Sequence, residues 1–320
     1  MEPKLSFVIP CYGSEHTIKK VIDEIEQTVK KKNDYEIICV NDCSPDGVLS
    51  VLKEIAEDNR HIKVISLSKN FGQHNALMAG YRHVTGDLII SMDDDGQTPA
   101  SECYKLIEAL DVKNDVIFAR YKEKHHSLPR RLSSNIAGMM GRMMLGYPKG
   151  FYGSSYYVCR RYVIDEIIRY ENPYTFIAGL LFRTTRKIGN ADVNHRERIS
   201  GRSGYSFHKL MALWLNGFTA FSIKPLRIAT IGGTTCAIIG FLFGIFTVIR
   251  KIIDSNIAIG YSSLMAVLLF IGGLLMLMVG LVGEYIGRVY ISINNSPQYV
   301  IRESININKS NEGNDDYKHN

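Results

Sequence analysis

The chain has 320 residues, 46% of them hydrophobic and 22% charged, which excludes a disordered chain, a collagen-like fibre and a small disulfide-stapled scaffold. A formal net charge of +6 is too small to imply nucleic acid, and suits a phosphate-bearing ligand or an anionic membrane surface equally well. The length allows roughly two domains of about 150 residues.

The first 120 residues alternate strand and helix patterns. Residues 5–9 are a short apolar run ending at Pro10, and 17–31 carry Ile18, Val21, Ile22, Ile25 and Val29 at helical spacing. A strand over 36–40 ends at Asn41-Asp42, a helix covers 48–56, and a strand covers 63–67. A helix over 74–83 precedes a strand over 87–92, which runs into Asp93-Asp94-Asp95. A helix over 102–110 and a strand over 116–119, ending at Arg120, complete the series. This alternation predicts a parallel sheet with helices on both faces. Ligands of such sheets bind outside the carboxyl ends of the strands. Pro10, Tyr12, Asp42, Asp93, Asp95 and Arg120 stand there.

Asp93, Asp95 and Gln97 alternate just past a buried strand, and in an extended segment alternation points them to one side. Two carboxylates and an amide oxygen suit Mg²⁺ or Mn²⁺, with a diphosphate and waters completing the shell. The bland alternative is a solvated acidic turn ahead of the next helix. Against it, three like charges at a strand end repel one another in the absence of a cation. No phosphate-binding G-x-x-x-x-G-K-[ST] loop is present.

Two amphipathic stretches follow. In 130–146, Leu132, Ile136, Met139, Met140, Met143 and Met144 share one helical face, with Arg130, Arg131 and Arg142 elsewhere. In 205–224, Phe207, Leu210, Met211, Trp214, Phe218 and Phe221 form a second stripe. Ordinary core packing explains a lone stripe; two beside an apolar hairpin fit helices lying in a membrane interface.

Residues 228–249 hold no charge over about 22 positions, enough helix to span about 33 Å against the roughly 30 Å of a hydrocarbon core. A second uncharged run covers 255–283. Membrane helices are therefore expected at 228–250 and 261–283, with glycines that allow close packing, within one chain or in a homo-oligomer. The expected organisation is a globular domain over 1–225, a membrane hairpin over 226–288 and a polar tail over 289–320, disordered after Glu303. The six cysteines are scattered without a C-x-x-C pair, which fits a reducing compartment and no zinc site. Met1–Lys4 lead into no apolar signal segment, so both termini are expected in the cytosol, with the 251–262 loop across the membrane.

The segments FVIPCYG, VNDCSPDG, LSKNFGQHNALMAGYRHVTGDLIISMDDDGQTP and FAR resemble the N-terminal domain of glycosyltransferase family 2. RERISGRSGYSF, KPLR and LVGEYIGRVY extend the resemblance to its polyisoprenyl-phosphate branch, which includes undecaprenyl-phosphate aminoarabinose transferases, bactoprenol glucosyltransferases and, further off, dolichol-phosphate mannose synthases. The resemblance implies a GT-A (Rossmann-like) α/β fold. It also implies transfer of a sugar from a nucleotide-sugar, UDP-linked, to a polyprenyl phosphate such as undecaprenyl phosphate, at the cytosolic face of the cell membrane. Carried over by position, Pro10, Tyr12 and Asp42 would hold the base and ribose of the nucleotide, with Asp94 near the ribose or sugar and Glu15, one place beyond the motif, the glutamate on offer for the remaining nucleotide contact. Asp93, Asp95 and Gln97 hold the metal, and Arg120 and Arg198 meet phosphates. A groove between the two amphipathic stretches would pass the polyprenyl chain, with Arg130, Arg131, Arg198 and Arg202 on its phosphate. The usual P-x-Y-N-E reads Pro10-Cys11-Tyr12-Gly13-Ser14 here, with a glutamate only at Glu15. The usual R-x-x-G-x-S-K-Y has Gly204 in place of its lysine, and Arg202 offers a substitute cation.

Two rival readings make different demands. A processive polysaccharide synthase wants a Q-x-x-R-W motif and more spans; the single Trp214 follows Leu213. A non-catalytic nucleotide-binding scaffold has no need of the Asp93/Asp95/Gln97 set, and a turnover assay separates it from an enzyme.

Overall fold

A computed structural model describes residues 2–121, 146–148, 150–196, 224–253, 260–294 and 296–307. The chain divides into two compact units, Met1–Ser206 with Ser296–Asn320, and Phe207–Asn295. Both amphipathic stretches, with Arg130, Arg131, Arg198 and Arg202, lie outside the described residues.

In the first unit the elements run β1 (Leu5–Cys11), α1 (Ile18–Val29), β2 (Tyr35–Asn41), α2 (Val48–Asp58), β3 (Ile62–Leu67), α3 (Gln73–Tyr81) and β4 (Leu88–Ser91). A 3-10 turn, Ala100–Glu102, leads into α4 (Cys103–Glu108). Then come β5 (Val116–Tyr121), β6 (Tyr157–Arg160), α5 (Arg161–Ile167), α6 (Ile177–Thr184), β7 (Ile188–Val193) and, far along the chain, β8 (Ile301–Ile305). One sheet holds all eight strands in the order β7-β5-β6-β4-β1-β2-β3-β8.

The strands expected from the sequence are present and parallel, with β1 pairing both β2 and β4, and β2 pairing β3. The sheet is nonetheless mixed. β6 runs antiparallel between β4 and β5, and β8 antiparallel against β3. β1 and β2 are buried at every position, as strands covered on both faces are. α1 buries Ile18, Val21, Ile22, Ile25 and Val29, the predicted stripe. α3 is buried along nearly its whole length. It lies so close to the sheet that a Cβ at Gly80 would collide with Val8.

β8 corrects the expectation of a tail disordered after Glu303. Ser304 pairs with Ile65 and Ile305 with Val64. Without β8, β3 would be an edge strand with unpaired backbone groups, and Ile305 packs against the core. Residues 308–320 lie outside the described residues.

The second unit consists of α7 (Lys224–Ile253) and α8 (Tyr261–Ile293), both longer than predicted. Each is long and apolar enough to cross a membrane, with windows at Ala229–Phe246 and Phe270–Ile291 of mean hydropathy 1.8. Large apolar side chains such as Phe241 and Met276 are exposed. A Cβ on Gly233 would sit 3.2 Å from Met278 Sδ, so small residues set the approach of these helices.

Candidate active site

β1 has β2 on one side and β4 on the other, and the chain crosses over in opposite directions to reach them. Such a switch point opens a crevice at the carboxyl ends of the strands. Tyr12 follows β1, Asp42 follows β2 and Asp93–Asp95 follow β4, so the topology brings these predicted residues to one rim. Pro10 is buried within β1, and Tyr12 is 54% exposed.

Asp93 is held by two side-chain donors. Oδ1 accepts a hydrogen bond from Gln73 Nε2 at 2.9 Å, and Oδ2 accepts one from Ser155 Oγ. Burial, with Asp95 and Asp94 close by, pushes its pKa up to about 6 against the ordinary 3.8. The Ser155 and Gln73 donors oppose that rise. Asp94 turns to the β1 loop, where Oδ2 accepts the Tyr12 N–H at 3.0 Å, and burial raises its pKa too.

The chain past Asp93 is not extended, which corrects the expected alternation. It bends at 94–96, Gly96 takes φ +68°, and Asp95 Oδ1 accepts the Gln97 N–H at 3.0 Å. A positive φ is what glycine tolerates best. A tight turn, rather than strand periodicity, thus brings Asp95 and Gln97 together. Among the described residues no three His, Cys, Asp or Glu side chains form a complete metal cage. The set of two carboxylates and one amide is hard and oxygen-rich, and fits Mg²⁺ or Mn²⁺ whose shell is completed by ligand oxygens and water.

Other predicted residues have partners within the protein. Asp42 is buried, and its two oxygens accept the N–H groups of Phe71 (2.7 Å) and Gly72 (2.8 Å), just ahead of α3. Glu15 accepts the Gly47 N–H at 3.0 Å and braces the β2–α2 loop. Arg120 is half-exposed and carries a carboxylate partner. It pairs with Asp192 (Nε to Oδ1 2.5 Å), its register partner on β7.

Sequence reasoning missed Gln73 and Ser155, the two donors on Asp93. Gln73 lies inside the family-like stretch, but Ser155 follows a segment without periodicity. Also missed was a ring cluster near the acids, where Tyr121 packs against His195 (4.3 Å) and Tyr152 (6.3 Å) and meets the Thr98 hydroxyl at 3.2 Å. Burial pushes the Tyr121 pKa up to about 12, and Asp93 and Asp95 are near enough to add to the rise. The segment after β7 is pinned. Arg196 donates to both oxygens of Glu24 (2.8 and 3.1 Å), and its N–H reaches the Gln97 carbonyl at 2.7 Å.

Comparisons with known proteins divide the chain as its architecture does. The model of glycosyl transferase family 2 matches residues 6–168, and that of the GtrB C-terminal hairpin matches 224–289. The chain is similar to undecaprenyl-phosphate 4-deoxy-4-formamido-L-arabinose transferase of Photorhabdus laumondii, at 34% identity over 318 residues and 98% of each chain. The enzyme of that name from Proteus mirabilis is 34% identical over 313 residues, 96% of each chain. Among solved structures, mannosyl-3-phosphoglycerate synthase from Rubrobacter xylanophilus aligns with a TM-score of 0.49 and 17% identity, over 70% of this chain and 74% of that one. With the acids past β4 inside the first matched segment and both long helices spanning the second, the chain belongs to glycosyltransferase family 2 and is a glycosyltransferase.

Proposed function

We propose that this enzyme transfers a sugar from a UDP-sugar to undecaprenyl phosphate at the cytosolic face of the cell membrane, inverting the anomeric carbon. The supporting observation is the likeness, over nearly the full length of both chains, to transferases named for undecaprenyl phosphate. It takes in the crevice acids and the apolar hairpin together. Asp93, Asp95 and Gln97 would hold a divalent cation, and a cation held there would neutralise charge on the departing diphosphate. Asp94 fixes the Tyr12 loop through the Tyr12 N–H, so the nucleotide wall and the acidic turn are joined. Gln73 and Ser155 hold Asp93 in one orientation, a form of preorganisation that spares reorganisation during transfer. Arg198 and Arg202, with Arg130 and Arg131, would receive the lipid phosphate. Incubating the enzyme with individual nucleotide-sugars and undecaprenyl phosphate, then weighing the lipid by mass spectrometry, tests this. A glycosylated lipid phosphate is expected. Hydrolysis of the donor without a lipid product would overturn the reading.

The acceptor makes a protein base unnecessary. A phosphate monoester has a second pKa of about 6, so it is mostly dianionic at pH 7. Arginines set against it would lower that value further. The attacking oxygen arrives ionised, and the protein is left to align and stabilise charge. The transfer rate at saturating metal is therefore expected to stay flat from about pH 7 upward until the protein fails. A protein-borne pKa between about 7 and 9, lost with one carboxylate variant, would mean that a general base operates.

Arg198→Ala is expected to raise KM for the lipid acceptor by about tenfold, the loss of one charge-assisted contact, with free UDP bound as before. Equal loss of both would place Arg198 on the donor diphosphate.

A further inference from the structure

We infer that the segment following α8 completes the nucleotide end of the crevice, with Gln298 as a positioning residue. The identity of the ligand rests on the reading proposed above; the hydrogen-bond path does not.

Gln298 is 6% exposed. Its two Nε2–H groups serve three acceptors, one of them shared: the Tyr170 carbonyl (3.2 Å), the Asn172 carbonyl (3.1 Å) and Thr175 Oγ1 (2.7 Å). All three acceptors belong to the loop between α5 and α6. Asn75 of α3 grips the same loop on another side. Its Nδ2 donates to the Pro173 carbonyl at 3.1 Å and to the Phe71 carbonyl at 2.9 Å. The N–H groups of Phe71 and Gly72 in turn rest on Asp42. Gln298 is thus linked through the loop, Asn75 and Phe71 to a buried carboxylate on the crevice rim.

Two further contacts tie the same parts together. The Val300 carbonyl accepts the Ser68 N–H at 2.9 Å, and Ile301 pairs with Leu67, so the segment runs beside the approach to α3. Phe176, at the end of the loop, meets the His74 ring edge-on at 5.4 Å.

Plain stabilisation of the sheet edge would need only β8. Gln298 precedes that strand and makes no ladder bond. All three of its hydrogen bonds go to the loop that braces the first turn of α3. Buried amides are costly unless paired; here Nε2 is paired only with that loop, while Oε1 is buried and has no partner among the described residues. Removing its donors should free the 170–176 loop, loosen Phe71 and Gly72 on Asp42, and weaken nucleotide binding before it affects the chemical step.

The test uses the full chain in lipid nanodiscs. Gln298→Met keeps length and removes both donors; Asn75→Ala breaks the path one link on. Glu303→Gln is the control, because it cuts the Lys53–Glu303 ion pair (2.6 Å) on the same segment without touching the path. Calorimetry with uridine diphosphate, donor kinetics and amide exchange over residues 68–76 are measured. For Gln298→Met and Asn75→Ala, Kd for uridine diphosphate and KM for the donor should rise about tenfold, with kcat within about twofold. Exchange over 68–76 should quicken, and Glu303→Gln should change none of these. Native-like affinity in Gln298→Met, unchanged exchange, or equal losses in Glu303→Gln would overturn the inference. If exchange quickens as expected but the native protein itself does not bind uridine diphosphate, the path stands and the proposed donor falls.

Discussion

Asp93→Asn is expected to abolish sugar transfer while making the metal-free protein more stable. In the folded chain the Asp93 carboxyl titrates at about 6 against an ordinary 3.8, chiefly because it is buried, with two more carboxylates beside it. The folded state therefore holds a proton that the unfolded state has released between those two values. Stability falls as pH rises through that window and stays lower at neutral pH. Asparagine removes the charge at nearly constant volume. Its carbonyl oxygen can accept from Gln73 Nε2, and its amide can donate to the Ser155 hydroxyl, which accepts as readily as it donates. The unfolding midpoint at pH 7 should rise, and its decline between pH 4 and 6 should flatten. Transfer should fall about a thousandfold, near 4 kcal/mol of transition-state stabilisation. Asp95→Asn should lose transfer to a similar degree. Turnover and thermal unfolding in EDTA, each followed across pH, check both halves. Full activity in either variant, or in EDTA, would remove the acids from the metal site. A lowered midpoint for Asp93→Asn would show that its hydrogen bonds outweigh its charge.

Glu36→Ala is expected to cost about 3–5 kcal/mol of stability, since it strips the acceptor from a buried, paired cluster. Glu36 is 3% exposed at the amino end of β2, away from the crevice. Its carboxylate accepts from Ser6 Oγ, Lys63 Nζ, and the N–H and hydroxyl of Thr85. It thereby ties together β1, β3 and the turn before β4. Burial alone would raise its pKa, but the Lys63, Ser6 and Thr85 donors outweigh that and hold it below 4.5. The contribution is therefore complete above the ordinary carboxylate range and is lost as pH falls through the lowered folded value. Chemical unfolding of the variant at pH 7 should show the full deficit, narrowing toward low pH. An unchanged unfolding midpoint would show that water replaces the carboxylate at no cost.

The α/β alternation through residue 120 was legible because each strand is a continuous apolar run and each helix has an apolar stripe, which are local properties of the chain. The apolar hairpin was legible for the same reason, since length and the absence of charge are enough. The place of Asp42 and Asp93–Asp95 at the carboxyl ends of strands was legible, because each follows directly on an apolar run. The Arg120–Asp192 pair was not legible because sequence does not disclose a partner 72 residues away, and Asp192 is placed beside Arg120 only when β7 pairs with β5. Ser155 reaches Asp93 only because β6 inserts, reversed, next to β4. β8 looked like polar tail because a short strand at a sheet edge needs little apolar pattern of its own; the open edge of β3 selects it. The sequence by itself determined which residue types stand at which strand ends, and that two helices can span a membrane. Which carboxylates are held by donors, which arginine is already paired, and that residues after α8 return to pair with β3 and hold the 170–176 loop emerge only in the folded chain. Those outcomes depend on long-range pairing, which no local periodicity encodes.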